Sequence, residues 1–240
     1  MDLLEYQGKQ LFAKHGIAVP SGEVADTVDD AVAAAEKIGY PCAIKAQVLI
    51  GGRGKAGGIK IAQNTEEARE HADAILGMDI VGPHGEGPFR VDQVWIEGGS
   101  DIAEEYYASV ILDRGEKKLL AMVSAKGGMD IEAVAAEDPD ALVKRHIDPS
   151  GFDAADARAI VADAGLAEDA LDEAAEVLVK LEEVAREEDA TLIEVNPLIV
   201  TAGREVVALD SKVTIDGNSL FRHQDLAEIA DTVDDPQEQM

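Results

Sequence analysis

Lys45-Ala46-Gln47-Val48-Leu49-Ile50-Gly51-Gly52-Arg53-Gly54-Lys55-Ala56-Gly57-Gly58-Ile59-Lys60 places two short apolar runs around a loop with five glycines, and four cations lie in or beside it. Acids make up 49 of the 240 residues, yet none occurs from Lys37 to Thr65, a window that carries five basic residues. The chain thus keeps one local positive field inside a formal net charge of −28. A flexible backbone rich in N–H groups, next to Lys and Arg, is what a polyphosphate needs.

Two familiar phosphate loops fail on context. Gly52-Arg53-Gly54-Lys55-Ala56-Gly57 matches G-x-G-x-x-G in form, but that fingerprint must open a helix. Here β-branched Ile59 and Ile61 follow, and a new helix cap appears only at Asn64. A Walker A loop fails because Ala56 stands where Ser or Thr should follow Gly54-Lys55. What survives is a glycine flap between two strands. A protein kinase has such a flap, but neither H-R-D nor D-F-G occurs in the sequence.

Other residues frame the flap. Lys45 sits in the apolar run Ala43-Ile44-Lys45-Ala46, where a buried ammonium needs a partner charge. The plain alternative is an edge-strand lysine pointing to water. In Leu192-Ile193-Glu194-Val195-Asn196-Pro197-Leu198, Glu194 and Asn196 are two apart and share one strand face. With Asp210, at the end of Val206-Val207-Ala208-Leu209, they make a hard-oxygen set that suits Mg²⁺. A solvated strand face is the plain alternative. Glu97, with Gly98-Gly99-Ser100 and Glu105, is a weaker signal for a purine edge and ribose. The five histidines (His15, His71, His84, His146, His223) show no metal-ligand spacing and receive no catalytic role.

Composition sets the background. A hydrophobic content of 46% with 4% aromatic residues points to an Ala/Val/Leu/Ile-packed α/β protein. The acidity argues against nucleic acid or an anionic membrane surface as partner and reads as a solvated, salt-tolerant surface of the halophilic kind. Cys42 is the only cysteine, which fits a reducing cytoplasm. The acidic start Met1-Asp2-Leu3-Leu4-Glu5 is unlike a signal peptide, and no apolar run is long enough to span a bilayer.

Along the chain, Asp2 is expected to cap a helix from Leu4 to His15. A strand over 23–26 and a helix over 29–38 follow, the helix opened by Thr27-Val28-Asp29-Asp30. Strands are expected at 42–48, 59–61 and 91–97, with a helix from Asn64 or Thr65 to Leu76 and a surface loop over 82–88. A hairpin joins 105–113 to 118–124 around Arg114-Gly115-Glu116. Helices are expected at 153–164 and 171–187, the second with an apolar stripe through Leu171, Leu178 and Leu181. Strands at 191–196, 198–201 and 205–209 precede a linker or tail over 226–240.

Taken together these residues resemble the succinyl-CoA synthetase (succinate–CoA ligase, ADP-forming) β-subunit family of the ATP-grasp superfamily. The resemblance runs through Leu4-Glu5-Tyr6-Gln7-Gly8-Lys9-Gln10-Leu11-Phe12, the loop 51–58 and Ile193-Glu194-Val195-Asn196-Pro197-Leu198. It continues through Asp210-Ser211-Lys212 and Asp216-Gly217-Asn218-Ser219-Leu220-Phe221-Arg222. It implies an ATP-grasp fold of two α+β subdomains enclosing the nucleotide within residues 1–225. One subdomain, about 20–98, would lie inserted between 1–19 and 99–225.

By the same resemblance Lys45, Gly52, Arg53 and Gly54 bind phosphates, with Lys45 and Arg53 stabilising phosphoryl charge. Glu97, Ser100 and Glu105 line the base and ribose. Asn196 and Asp210 ligate Mg²⁺, with Glu194 a weaker candidate. Lys45→Ala is then expected to weaken Mg-nucleotide binding and leave the fold intact. The implied chemistry is reversible: succinyl-CoA, phosphate and ADP give succinate, CoA and ATP, as in the tricarboxylic acid cycle. A phosphohistidine on a partner α subunit, in a heterodimer or heterotetramer, carries the phosphoryl group. Family members continue into a flavodoxin-like CoA-ligase domain that has no counterpart in these residues. The alternatives are a malate- or acetate-handling relative and a non-catalytic nucleotide-binding module.

Overall fold

The computed structural model describes residues 1–83 and 85–230, with side chains to residue 228. His84 and residues 231–240 of the expected tail (226–240) lie outside the described residues.

The first half runs α1 (Glu5–Lys14), β1 (Gly22–Ala25), α2 (Val28–Ile38), β2 (Cys42–Ala46), β3 (Ile59–Ala62), α3 (Thr65–Ile75), β4 (Asp79–Ile80), β5 (Phe89–Arg90) and β6 (Val94–Gly98). Four strands form an antiparallel sheet in the order β1-β6-β2-β3. Thr27 and Asn64 start α2 and α3 by accepting from the N–H groups of Asp30 and Glu67. Their alanines, Ala31, Ala35, Ala68 and Ala72, bury against Cys42, Ile44 and Ala46 on one face of the sheet. Period-two alternation turns Ala43, Lys45, Trp95 and Glu97 to the other face. That second face meets α1, where the Tyr6 and Trp95 rings stack with centroids 6.0 Å apart.

The second half runs β7 (Ile102–Asp113), β8 (Lys118–Ser124), α4 (Ile131–Glu137), β9 (Val143–His146), α5 (Ala154–Asp163), α6 (Leu171–Glu187), β10 (Ala190–Thr201), β11 (Val206–Ala208), β12 (Lys212–Ile215) and α7 (Gln224–Ala230). The strands make a six-stranded sheet in the order β11-β10-β7-β8-β9, with β12 also on β10. The expected β7–β8 hairpin forms, its turn held by Asp113 accepting from Gly115 and Glu116 N–H. The apolar stripe of α6 packs Leu171, Leu178 and Leu181 against Leu11 and Phe12 of α1 and the sheet residues Val110, Ile193 and Val195. Each such side chain, fully buried, contributes about 1.5–3 kcal/mol.

Four expectations are corrected. Asp2 does not cap α1: it bridges Thr214 of β12, and Leu4 holds the cap position, its N–H donated to Gln7 Oε1. The strand expected over 91–97 begins only at Val94, because Val91 N–H is drawn to Met78 O beside the β4–β5 pair. Two strands expected on either side of Pro197 are one, β10, with a cis Asn196–Pro197 peptide inside it. Proline fits there because the register shifts between Val195 and Leu198 and no ladder N–H is required of it. Finally, the chain from residue 226 is not all tail, since Leu226 of α7 is buried in the larger core.

The position of Pro197 shapes the site. One edge of β10 pairs with β7 on both sides of this shift. Its other edge pairs first with β12, up to Glu194, and then with β11, from Leu198. Residues 209–211 cross the fork between those two strands, opposite Asn196.

Candidate functional site

Antiparallel pairing of Lys45 with Ile59 makes the chain between β2 and β3 a flap. It is not a slack strap. Residues 52–58 fold into a tight turn, with Lys55 and Ala56 N–H on Gly52 O and Gly58 N–H on Arg53 O. Gly57 closes this turn with φ +82°, a conformation that L side chains rarely adopt.

Arg53 reaches from this turn into the protein. Its NH1 donates to Ala46 O at 3.0 Å and to Glu5 Oε2 at 2.5 Å, and its NH2 donates to Asp210 Oδ1 at 2.8 Å. Lys45 lies beneath it, on an interior strand and only 5% exposed, so the water-facing alternative does not hold. The Lys45 Nζ contacts Glu5 Oε1 at 2.9 Å, Glu97 Oε1 at 2.5 Å and Leu209 O at 3.0 Å. Lys9 joins Glu5 to Glu97, and Trp95 Nε1 donates to Glu97 Oε2 at 2.8 Å. Three carboxylates (Glu5, Glu97, Asp210) thus meet three cations (Lys9, Lys45, Arg53) with formal charges in balance.

Burial and charge compete in this cluster. Burial pushes the Glu5 carboxyl up, but Arg53, Lys45 and Lys9 overcome it and hold Glu5 well below the usual carboxylate range. Burial pulls Lys45 and Arg53 down, yet Glu5 and Asp210, with Glu97 at Lys45, raise both above their ordinary values. Asp210 goes the other way: burial and the nearby Glu5 charge raise it, with Arg53 opposing.

The flap, α1 and the β10 fork bound a cleft of ≈ 100 Å³ lined by Glu5, Gly52, Arg53, Glu194, Asn196 and Asp210, among others. The expected phosphate and metal residues Arg53, Gly52, Asn196, Asp210 and Glu194 therefore meet at one place. Lys45 and Glu97 lie behind the cleft wall, and Gly54, Ser100 and Glu105 do not line it. Ser100 follows β6, next to the turn where Gly99 N–H bonds Pro41 O. Glu105 lies on β7 beside Gly128, whose N–H donates to Asn196 Oδ1 at 2.8 Å.

Three expected site residues have protein partners that the sequence reading did not give them. Glu97, expected at a base and ribose, is 1% exposed and binds Lys45, Lys9 and Trp95. Asn196 braces a turn, its Nδ2 donating to Met129 O at 2.8 Å while Oδ1 takes the Gly128 N–H. Glu194 accepts from Tyr107 OH at 3.0 Å, and burial raises its carboxyl. Asp210, Asn196 and Glu194 line the cleft and carry oxygens of the hard kind that a divalent cation takes; one oxygen of each accepts a protein hydrogen bond, from Arg53 and Ser211, from Gly128 and from Tyr107 respectively.

Sequence reading missed Glu5, Lys9, Gln47 and Trp95. Glu5 and Lys9 stand four apart on α1, and Gln47 follows the end of β2, two residues after Lys45, its amide 3.4 Å from Glu5 Oε2. An acid–lysine pair on the apolar side of a helix was the available signal. The described histidines serve elsewhere: His15 on Glu188, His71 on Ile61 O, His146 on Asp113 and His223 on Asp189.

The fold that carries this cleft belongs to a known class. The ATP-grasp domain family matches residues 2–200, and the chain belongs to that family. It is similar to the β subunits of ADP-forming succinate–CoA ligases. The one from Natronomonas pharaonis is 51% identical over 95% of this chain and 59% of its own length. Those from Halorubrum lacusprofundi and Haloarcula marismortui are each 48% identical over 96% of this chain and 59% of theirs. The chain thus spans about three fifths of the length of these curated relatives. Among solved structures, a dinucleotide-forming acetyl-coenzyme A synthetase from Ca. Korarchaeum cryptofilum superposes with a TM-score of 0.69. It is 18% identical and covers 90% of this chain and 93% of its own. ATP citrate lyase from Methanothrix soehngenii gives a TM-score of 0.70 at 21% identity, over 92% of this chain and 52% of its own. These two share the fold.

Proposed function

We propose that this chain is the nucleotide-handling part of an ADP-forming succinate–CoA ligase β subunit. In this reading it exchanges a phosphoryl group between ADP/ATP and a histidine on a partner α subunit. The reaction couples succinyl-CoA and phosphate to succinate and CoA, in the tricarboxylic acid cycle of the cytoplasm. The observation that carries the reading is the meeting of Arg53 and Asp210 across the cleft, opposite Asn196. The identity to the curated β subunits supports the choice of reaction.

The proposed roles follow from chemistry. Lys45 and Arg53 neutralise the transferring phosphoryl group, and the Gly52–Gly54 backbone cradles it. Asp210 and Asn196, with Glu194 as a weaker ligand, would hold Mg²⁺, which supplies charge neutralisation on the phosphate oxygens when bound. Glu105, at the far side of Asn196, and Ser100 are assigned to the ribose and base. Glu97 serves the nucleotide through Lys45. The α subunit would complete a heterodimer or heterotetramer.

The folds of the acetyl-coenzyme A synthetase and the citrate lyase keep one second reading open, a related acyl-CoA ligase acting on another acid. One experiment tests the proposal. The chain, combined with a matching α subunit, is given radiolabelled ATP and Mg²⁺, and label is sought on the α histidine. Label supports the ligase. Mg-nucleotide binding without transfer assigns the chain to the binding-module class.

A further inference from the structure

Glu5 receives no phosphate, nucleotide or metal role in the nucleotide reading, yet it has the densest set of charged contacts in the site. Its Oε1 lies 2.7 Å from Lys9 Nζ and 2.9 Å from Lys45 Nζ. Its Oε2 lies 2.5 Å from Arg53 NH1 and 3.4 Å from Gln47 Nε2. Glu97 touches Lys9 and Lys45, and Asp210 bonds Arg53. Among the described residues only Glu5 bridges Lys45 and Arg53 directly.

We propose that Glu5 is a positioning residue of the nucleotide site, holding Arg53 at the cleft and Lys45 just behind its wall as one cationic pair for a polyphosphate. The proposal rests on the nucleotide reading above. Its physical basis is repulsion: two buried cations on β2 and the flap would move apart unless an anion stood between them. The anion must also be fixed. Glu5 opens α1, whose Leu11 and Phe12 are locked in the larger core, and its side chain is 1% exposed. Its backbone carbonyl accepts from the Ser211 hydroxyl at 2.7 Å, one residue beyond Asp210. The approach is close enough that a Cβ on Gly8 would fall 2.5 Å from that same Oγ. One residue therefore ties the flap, the lysine strand and the wall bearing Asp210 to a common frame.

The test compares the chain with its E5Q and E5D variants. Mg-ADP affinity is measured by calorimetry, with the emission of Trp95, the only tryptophan, as a second signal. E5Q keeps the shape and removes the charge; E5D keeps the charge and shortens the reach. The expected result is Mg-ADP binding about tenfold or more weaker in E5Q, at unchanged stoichiometry, with E5D in between. The Trp95 response to nucleotide shrinks in parallel, since Trp95 bonds Glu97 and stacks on Tyr6. A lower melting temperature with unchanged affinity per folded molecule would make Glu5 structural only and overturn the proposal. Tighter binding would make it a competitor of phosphate and overturn it equally. If E5Q does not fold, E5D decides: weaker binding supports, equal binding overturns. Failure of the unaltered chain to bind Mg-ADP would defeat the nucleotide reading itself, an outcome distinct from a null effect of the variants.

Discussion

Arg53 NH2 donates to Asp210 Oδ1 at 2.8 Å, a bond between residues 157 positions apart that joins the glycine flap to the β10 fork. A cation proposed for phosphate and a carboxylate proposed for metal thus hold each other. If both hold those roles, binding of Mg-nucleotide would exchange this pair for Arg–phosphate and carboxylate–metal contacts. Metal and nucleotide should therefore bind synergistically.

Lys45→Ala tests more than phosphate binding. The expectation from sequence was weaker Mg-nucleotide binding with the fold intact. The structure changes the second half, because the variant leaves Glu5 and Glu97 short of a buried partner. Loss of one member of a buried ion pair costs about 3–5 kcal/mol. Calorimetric Mg-ADP titration should show lost affinity, and urea unfolding should show the destabilisation. An unchanged urea midpoint would contradict the buried cluster.

Asn196→Ala should separate metal from fold. Its two hydrogen bonds, to Gly128 N–H and Met129 O, are solvent-exposed, and together they are worth about 1–2 kcal/mol. The effect on Mn²⁺ binding in the presence of ADP, followed by electron paramagnetic resonance, should be larger, about tenfold. Mn²⁺ binding equal to that of the unaltered chain would remove Asn196 from the metal set.

Acid should act on the cluster through Glu5. Its folded carboxyl titrates below the ordinary 4.5, so the unfolded chain takes up the proton first as pH falls. Stability from Glu5 is complete above that ordinary value and is lost as pH drops through the folded one. Melting temperatures from about pH 6 to pH 3 should fall more steeply for the unaltered chain than for E5Q. Parallel curves would place the acid sensitivity elsewhere.

Salt should stabilise the fold. With a formal charge of −28, self-repulsion among surface acids outweighs the exposed ion pairs that salt also screens. The melting temperature should rise between about 0.1 M and 1 M KCl, where the Debye length shrinks from about 10 to 3 Å. A fall would mean that ion pairs, rather than excess acid, dominate the surface.

Local sequence carried much of the fold. Thr27 and Asn64 mark helix starts by side-chain oxygens that reach their own backbone, and the α6 stripe is a matter of spacing alone. The β7–β8 turn is equally local. The errors came where distant chain intervened. Asp2 was drawn to Thr214, and Val91 was taken by Met78. Pro197 did not break β10, because two different strands share its edge on either side of the proline.

The candidate site divides in the same way. The acid-free window around Arg53, Lys45 in its apolar strand, and the Glu194–Asn196 spacing are all visible in the one-dimensional chain, because residue type and local period express them. The counter-charges are not. Which carboxylate faces which cation depends on α1 lying across the sheet and on residues 209–211 crossing the fork. Glu5 meets Arg53 and Lys45, and Glu97 turns inward to Lys45, only through those packings. Coulomb energy in a buried site depends on distance and desolvation, and both are set by tertiary packing rather than by sequence separation.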